Sequence, residues 1–107
     1  MSDTIILINA RVATTPRHIV TSEGTAITSF RISTKRDESG DQWNYYTFTA
    51  FDQMAYDIIA SVRRSDIITV IGSLAVRDWE HDEATGTNVE VTAEQWFPVS
   101  LREHANA

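Results

Sequence analysis

Ile68, Val70, Gly72, Leu74 and Val76 fall at every second position of the run from Asp66 to Trp79, and Ile67, Thr69, Ile71, Ser73, Ala75, Arg77 and Trp79 fill the places between. A repeat of two is the side-chain period of extended backbone, so this run folds as a β-strand with two distinct faces. With the first set packed into a core, Arg77 and Trp79 stand together outside it, two residues apart on one face. The run thus places an indole and a guanidinium where the protein's own interior does not use them.

Four further segments have strand composition, rich in β-branched and aromatic residues and bounded by turn formers: Thr4 to Thr14, Thr25 to Thr34, Tyr45 to Phe51 and Thr87 to Phe97. In the second of the five, Ala26, Thr28, Phe30 and Ile32 form one face and Ile27, Ser29, Arg31 and Ser33 the other. In the last, Val89, Val91 and Ala93 share a face, and a register slip near its end brings Trp96 into the core or a subunit interface. Between the third and fourth, Asp52 is placed to cap a helix whose Ala55, Ile58, Ile59 and Val62 recur at helical spacing. Arg63 and Arg64 stand at its C-terminal end, where cations suit the dipole. Three strands, a short helix and a long hairpin closed by DEATGT is the element order of an OB-fold: all-β, a five-stranded barrel with one short helix between strands 3 and 4. Other five-stranded barrels share this order, and periodicity alone goes no further than a small β-barrel.

A chain of 107 residues buries one core. Residues 1–101 read as one domain and 102–107 as a short, disordered C-terminal end. The absence of cysteine removes disulfides, thiolate metal sites and cysteine nucleophiles together, and fits a cytoplasmic protein. The start, MSDTIILINA, has no basic region and only a four-residue apolar run, which makes neither a leader nor a membrane span. His18, His81 and His104 lie far apart without zinc spacing, and Asp78, Glu80, Asp82 and Glu83 around Trp79 suit a solvated hairpin tip. No phosphate loop, dinucleotide fingerprint or serine elbow occurs. No catalytic residue, metal, cofactor or small-molecule substrate is therefore expected.

The formal net charge of −6 argues against a polyanionic partner at long range. At physiological salt, however, screening acts beyond about 8 Å, so a ligand in a groove feels the local charges. An aromatic beside an arginine on an open β-surface is the chemistry that single-stranded nucleic acid requires: flat faces for bases and cations for phosphates. Trp43, Tyr45, Tyr46 and Phe51, around the third strand, and Arg31, Lys35 and Arg36, continuing the second, extend the pair formed by Arg77 and Trp79. The expected site is Trp43, Tyr45, Phe51, Arg77, Trp79, Arg31, Lys35 and Arg36. Stacking with scattered cations is indifferent to base identity.

ARVATTPRHIVTSEGTAITSFRIST, residues 10 to 34, is similar to the opening of bacterial single-stranded DNA-binding proteins, with its proline turn and Gly-Thr-Ala segment leading to Phe. FDQMAYDIIASVRRSDIITVIGSLAVRDW, residues 51 to 79, resembles their aromatic, helix, strand and Gly-x-Leu-x-x-Arg-x-Trp series, and NVEVTAEQWFPVSL their last strand. The resemblance spans nearly the whole domain in order and spacing. It implies an OB-fold that wraps single-stranded DNA over several subunits, most often a homotetramer and secondly a dimer, in replication, recombination or repair. Trp43, Phe51 and Trp79 match positions where the family places stacking aromatics, and Arg77 matches a basic one.

The sequence also departs from that pattern. Ala10 stands where glycine is common, Ala75 and Asp78 where residues are often basic, and KRDESGD lacks a further stacking aromatic. The long flexible tail with an acidic tip is missing. With the acidic charge, these departures leave a second reading: an OB-fold protein-interaction or primosomal accessory module with weak nucleic-acid affinity.

Overall fold

Every run with a period of two folds as a strand. The computed structural model describes residues 3–35, 43–81 and 84–100, apart from the side chains of 77–81 and 84–88. The five expected strands are β1 (Asp3–Val12), β3 (Ala26–Lys35), β4 (Trp43–Phe51), β5 (Ile67–His81) and β6 (Ala84–Ser100). A sixth, β2 (Arg17–Val20), was not expected. It is four residues long, too short for alternation to show. Its hairpin is set by TSEGT, where Gly24 takes a φ of 90° and donates its N–H to the Thr21 carbonyl.

β5 pairs antiparallel with β1 and β6, and β4 joins β6 in parallel through Thr47–Thr49 against Glu90–Thr92. β3 pairs with β4 along its length and returns to β1, with Arg11 opposite Ser33 and Val12 opposite Ile32. Five strands thereby close into the OB-fold barrel, while β2 pairs with β3 on the outside. Val12, Ile32, Phe48, Ile68, Val70 and Val91 fill the interior, with the Phe30 and Phe48 rings 5.4 Å apart. The expected faces of β3 hold: Ala26, Thr28, Phe30 and Ile32 are buried and Arg31 is exposed.

The helix α1 (Asp52–Ser61) lies between β4 and β5 and buries Ala55 and Ile58 against the core. Asp52 does not cap it: Asp52 is its first residue, with a φ of 57°, and the cap position belongs to Phe51, which makes no side-chain capping bond. Nor do Arg63 and Arg64 belong to its last turn, since the helix stops at Ser61. Instead they sit on a tight turn. The buried Asp66 carboxylate accepts the Arg63 N–H at 2.7 Å, Ser65 donates to the Val12 carbonyl, and Val12 donates to that of Asp66. The turn is thus clamped to the end of β1.

Thr28, fully buried, donates its hydroxyl proton to the Ala55 carbonyl at 2.8 Å. The Nδ1 of His18 lies 2.8 Å from the Thr28 hydroxyl oxygen. Because that hydroxyl has one proton and spends it on Ala55, His18 carries hydrogen on Nδ1 and donates, tying β2 to the helix through β3.

A register shift between Ile71 and Gly72 sets Ile71 opposite Gln95 but Gly72 opposite Ala93, so Trp96 faces Val70 and packs on the core. This is the slip anticipated for β6. Val76 departs from expectation. Although in phase with Val70, it is 58% exposed, because β5 has left the barrel by Ala75 and continues with β6 as a projecting two-stranded arm. Beyond Leu74 there is no interior for one face to choose.

Candidate nucleic-acid interface

The outward face of β1, β3 and β4 is a set of cross-strand rows. Lys35 lies opposite Trp43; Arg11, Ser33 and Tyr45 align across all three strands; Arg31 lies opposite Thr47. Farther on, Arg17, Ser29 and Thr49 form a row through β2, followed by Ile19, Ile27 and Phe51. Cations and aromatics therefore share one face of one sheet, because residues of equal parity on paired strands point the same way.

An open groove of about 570 Å³ occupies this face, lined by Arg11, Ala13, Thr14, Arg31, Ser33, Trp43, Tyr45 and Arg64. None of these residues is acidic. Its walls are tied together: Ala13 donates to the Arg31 carbonyl at 2.8 Å and the Arg31 N–H donates to the Thr14 hydroxyl at 3.0 Å. The Arg31 guanidinium stands 5.5 Å from the Tyr45 ring centroid, and the Lys35 ammonium 5.8 Å from that of Trp43. Both are cation–π distances, so each cation is held beside the ring with which it would share a ligand. Tyr45 is half-exposed and Trp43 partly so.

Of the residues expected to form a site, Trp43, Tyr45 and Arg31 line this groove, and Lys35 borders it through Trp43. Trp43 is the first residue of β4 and not a loop residue ahead of it. Phe51 is 40% exposed on the same face, six residues farther along β4, and does not line the groove. Tyr46 faces the other way and packs against the core. Arg36 lies outside the described residues, as do the side chains of Arg77 and Trp79. The backbone of β5 stays paired through both, with Trp79 opposite Gly86.

Two arginines of the groove lie outside the site expected from the sequence. Arg11 stands between buried Ala10 and Val12, so its outward direction could have been read from parity. The sequence places Arg64 at the helix dipole, and only the clamp between Val12 and the 63–66 turn brings it to this face.

Residues 3–99 match the model of the single-strand binding protein family. Two curated relatives, both named single-stranded DNA-binding protein 2, from Tropheryma whipplei strains Twist and TW08/27, are each 30% identical over 99 residues, or 85% of this chain. The chain spans 65% of their length. Among solved structures, the small single-stranded DNA-binding protein of Streptomyces coelicolor superposes with a TM-score of 0.81 at 22% identity, covering 92% of this chain and 94% of that one. The Plasmodium falciparum protein solved in complex with single-stranded DNA gives 0.69 at 20% identity over 94% of this chain and 96% of that one. The mitochondrial protein of S. cerevisiae gives 0.73 at 13% over 96% and 99%.

Proposed function

The chain belongs to the single-strand binding protein family, and from that premise we propose that it coats single-stranded DNA without regard to sequence, by aromatic stacking and phosphate contacts and without catalysis. The observation that carries this reading is local charge. A chain of net charge −6 gathers Arg11, Arg31 and Arg64 around Trp43 and Tyr45 in a groove with no acidic lining residue. A strand held within a Debye length meets those three cations and not the total charge.

In this mechanism bases stack on Trp43 and Tyr45 while Arg11, Arg31, Arg64 and Lys35 take phosphates. Phe51, beside Ile19 and Ile27, offers a second stacking place at the far end of the face. Arg36, Arg77 and Trp79 extend the path on the strength of the sequence, the latter two from the projecting arm. Because no base edge is read, the protein serves wherever strands are exposed, in replication, recombination and repair.

Residues 1–101 act as the binding domain, in a homotetramer, with a dimer as the second choice. Exposed Ile6 and Ile8 on β1 and Phe97 and Val99 on β6 support assembly, since they form apolar surface on the two strands that flank β5. The setting is cytoplasmic. Among the described residues no helix is long and apolar enough to cross a membrane.

Titrating the chain with single- and double-stranded oligonucleotides while following tryptophan emission tests the function. Quenching by single strands is expected at low salt. Its absence at micromolar protein would overturn the reading and leave the protein-interaction module in its place.

A further inference from the structure

The groove does not end at Arg64. A second recess of about 430 Å³ is lined by Thr15, Pro16, Ile59, Val62, Arg63 and Arg64. The two hollows share Arg64, and their walls meet at the consecutive residues Thr14 and Thr15. We propose that the second recess receives the sugar–phosphate backbone of the same DNA strand as it leaves Trp43 and Tyr45, and so sets where the strand exits. This rests on the reading of the first groove as a single-strand interface.

The chemistry of the lining selects backbone over base. No aromatic side chain lines the recess, so a base finds no ring to stack on. Pro16 and Ile59, both partly exposed, offer apolar contact of the kind a deoxyribose accepts, over a floor that includes buried Val62. Arg63 and Arg64 present guanidinium forks suited to phosphate oxygens, and Thr15 supplies a hydroxyl. Neither a carboxylate nor any other acidic group stands among the lining residues to repel the strand.

Position is as well defined as composition. Arg63 and Arg64 ride on the turn that buried Asp66 closes by accepting the Arg63 N–H, with Ser65 and Asp66 both bonded to Val12. The backbone beneath the two guanidiniums is thereby fixed before any ligand arrives, which lowers the ordering cost of binding. Arg64 faces both hollows and hands the strand from one to the other. Arg63 lines only the second, so it separates the two sites experimentally.

The test compares the full chain with its Arg63→Gln variant on oligothymidylates of increasing length, each titrated over a range of salt. Arg63 is exposed and its fold-supporting bond comes from the backbone, so the melting temperature should not move. On the shortest oligonucleotides that bind, which fill the aromatic groove alone, the two proteins should bind equally. On longer ones the variant should weaken about tenfold at about 20 mM salt, and its slope of log K against log salt should be shallower by about 0.7, the value of one phosphate on a single strand. Arg63→Lys should restore most of that slope. A variant that matches the parent at every length, or that loses equally at every length, overturns the second site while leaving the first. Failure of the parent chain to bind any length overturns the interface itself, and this inference with it.

Discussion

The Arg31 guanidinium stands 5.5 Å from the centroid of the Tyr45 ring, although the residue directly across the strand pair from Arg31 is Thr47. The contact is diagonal, reaching one row along the sheet, which is within range of a long side chain over an aromatic neighbour. It leaves the ring half-exposed and keeps a positive charge beside it. A stacked base and its phosphate would then find both partners already adjacent.

Tyr45→Ala should therefore weaken binding of single-stranded oligonucleotides by about 5- to 150-fold, the range for removal of one stacking ring. The melting temperature should change little, because half of the side chain is already in water. Fluorescence titration at fixed low salt measures the first and thermal denaturation the second. Unchanged affinity would remove Tyr45 from the interface.

Salt dependence should report the groove's cations. Arg11, Arg31, Arg64 and Lys35 neutralising one phosphate each would give log K a slope of about −3 against log salt, from about −0.7 per contact on a single strand. Arg11→Gln alone should make the measured slope shallower by about 0.7. A slope indifferent to Arg11 would mean that the row Arg11–Ser33–Tyr45 is not on the strand's path.

Much of this was legible from the chain. Strand β3 alternates buried Ala26, Thr28, Phe30 and Ile32 with partly exposed Ile27 and Ser29 and exposed Arg31, so its parity shows the outward face as well as the core, although Ser33 on the outward face is itself covered. The Gly72 region was legible in phase but not in extent: the period of two continues through Val76, while the barrel that gives the period its meaning stops near Leu74. Local pattern cannot show where a strand leaves its neighbours. Arg64 was illegible for a related reason. Its place depends on bonds between residue 12 and residues 65 and 66, contacts that no short window contains.

The apolar surface of β1 predicts assembly. Ile8 is 68% exposed, more than Ile6 on the same strand, and an isoleucine so placed gains by covering itself against another copy. If the chain assembles as proposed, Ile8→Glu should shift sedimentation velocity toward smaller species than the parent's without lowering secondary-structure content by circular dichroism. A variant that sediments as the parent does would show that β1 lies outside the subunit contact.

Gly72 offers the sharpest test of the barrel itself. A Cβ built there would collide with the Thr92 carbonyl oxygen and lie 2.6 Å from Val91 Cγ1, so the obstacle includes backbone of the paired strand β6. A flexible side chain can turn aside, but the Thr92 oxygen belongs to the ladder that holds β5 to β6 beside the register shift. Gly72→Ala must therefore push the two strands apart or distort the shift, an overpacking cost of about 1–3 kcal/mol. For a domain of this size that lowers the melting temperature by roughly 4–8 °C per kcal/mol. The loss should appear equally with and without DNA, since Gly72 is buried and lines neither hollow. A melting temperature at or above the parent's would mean that β5 and β6 do not approach as closely here as the barrel requires.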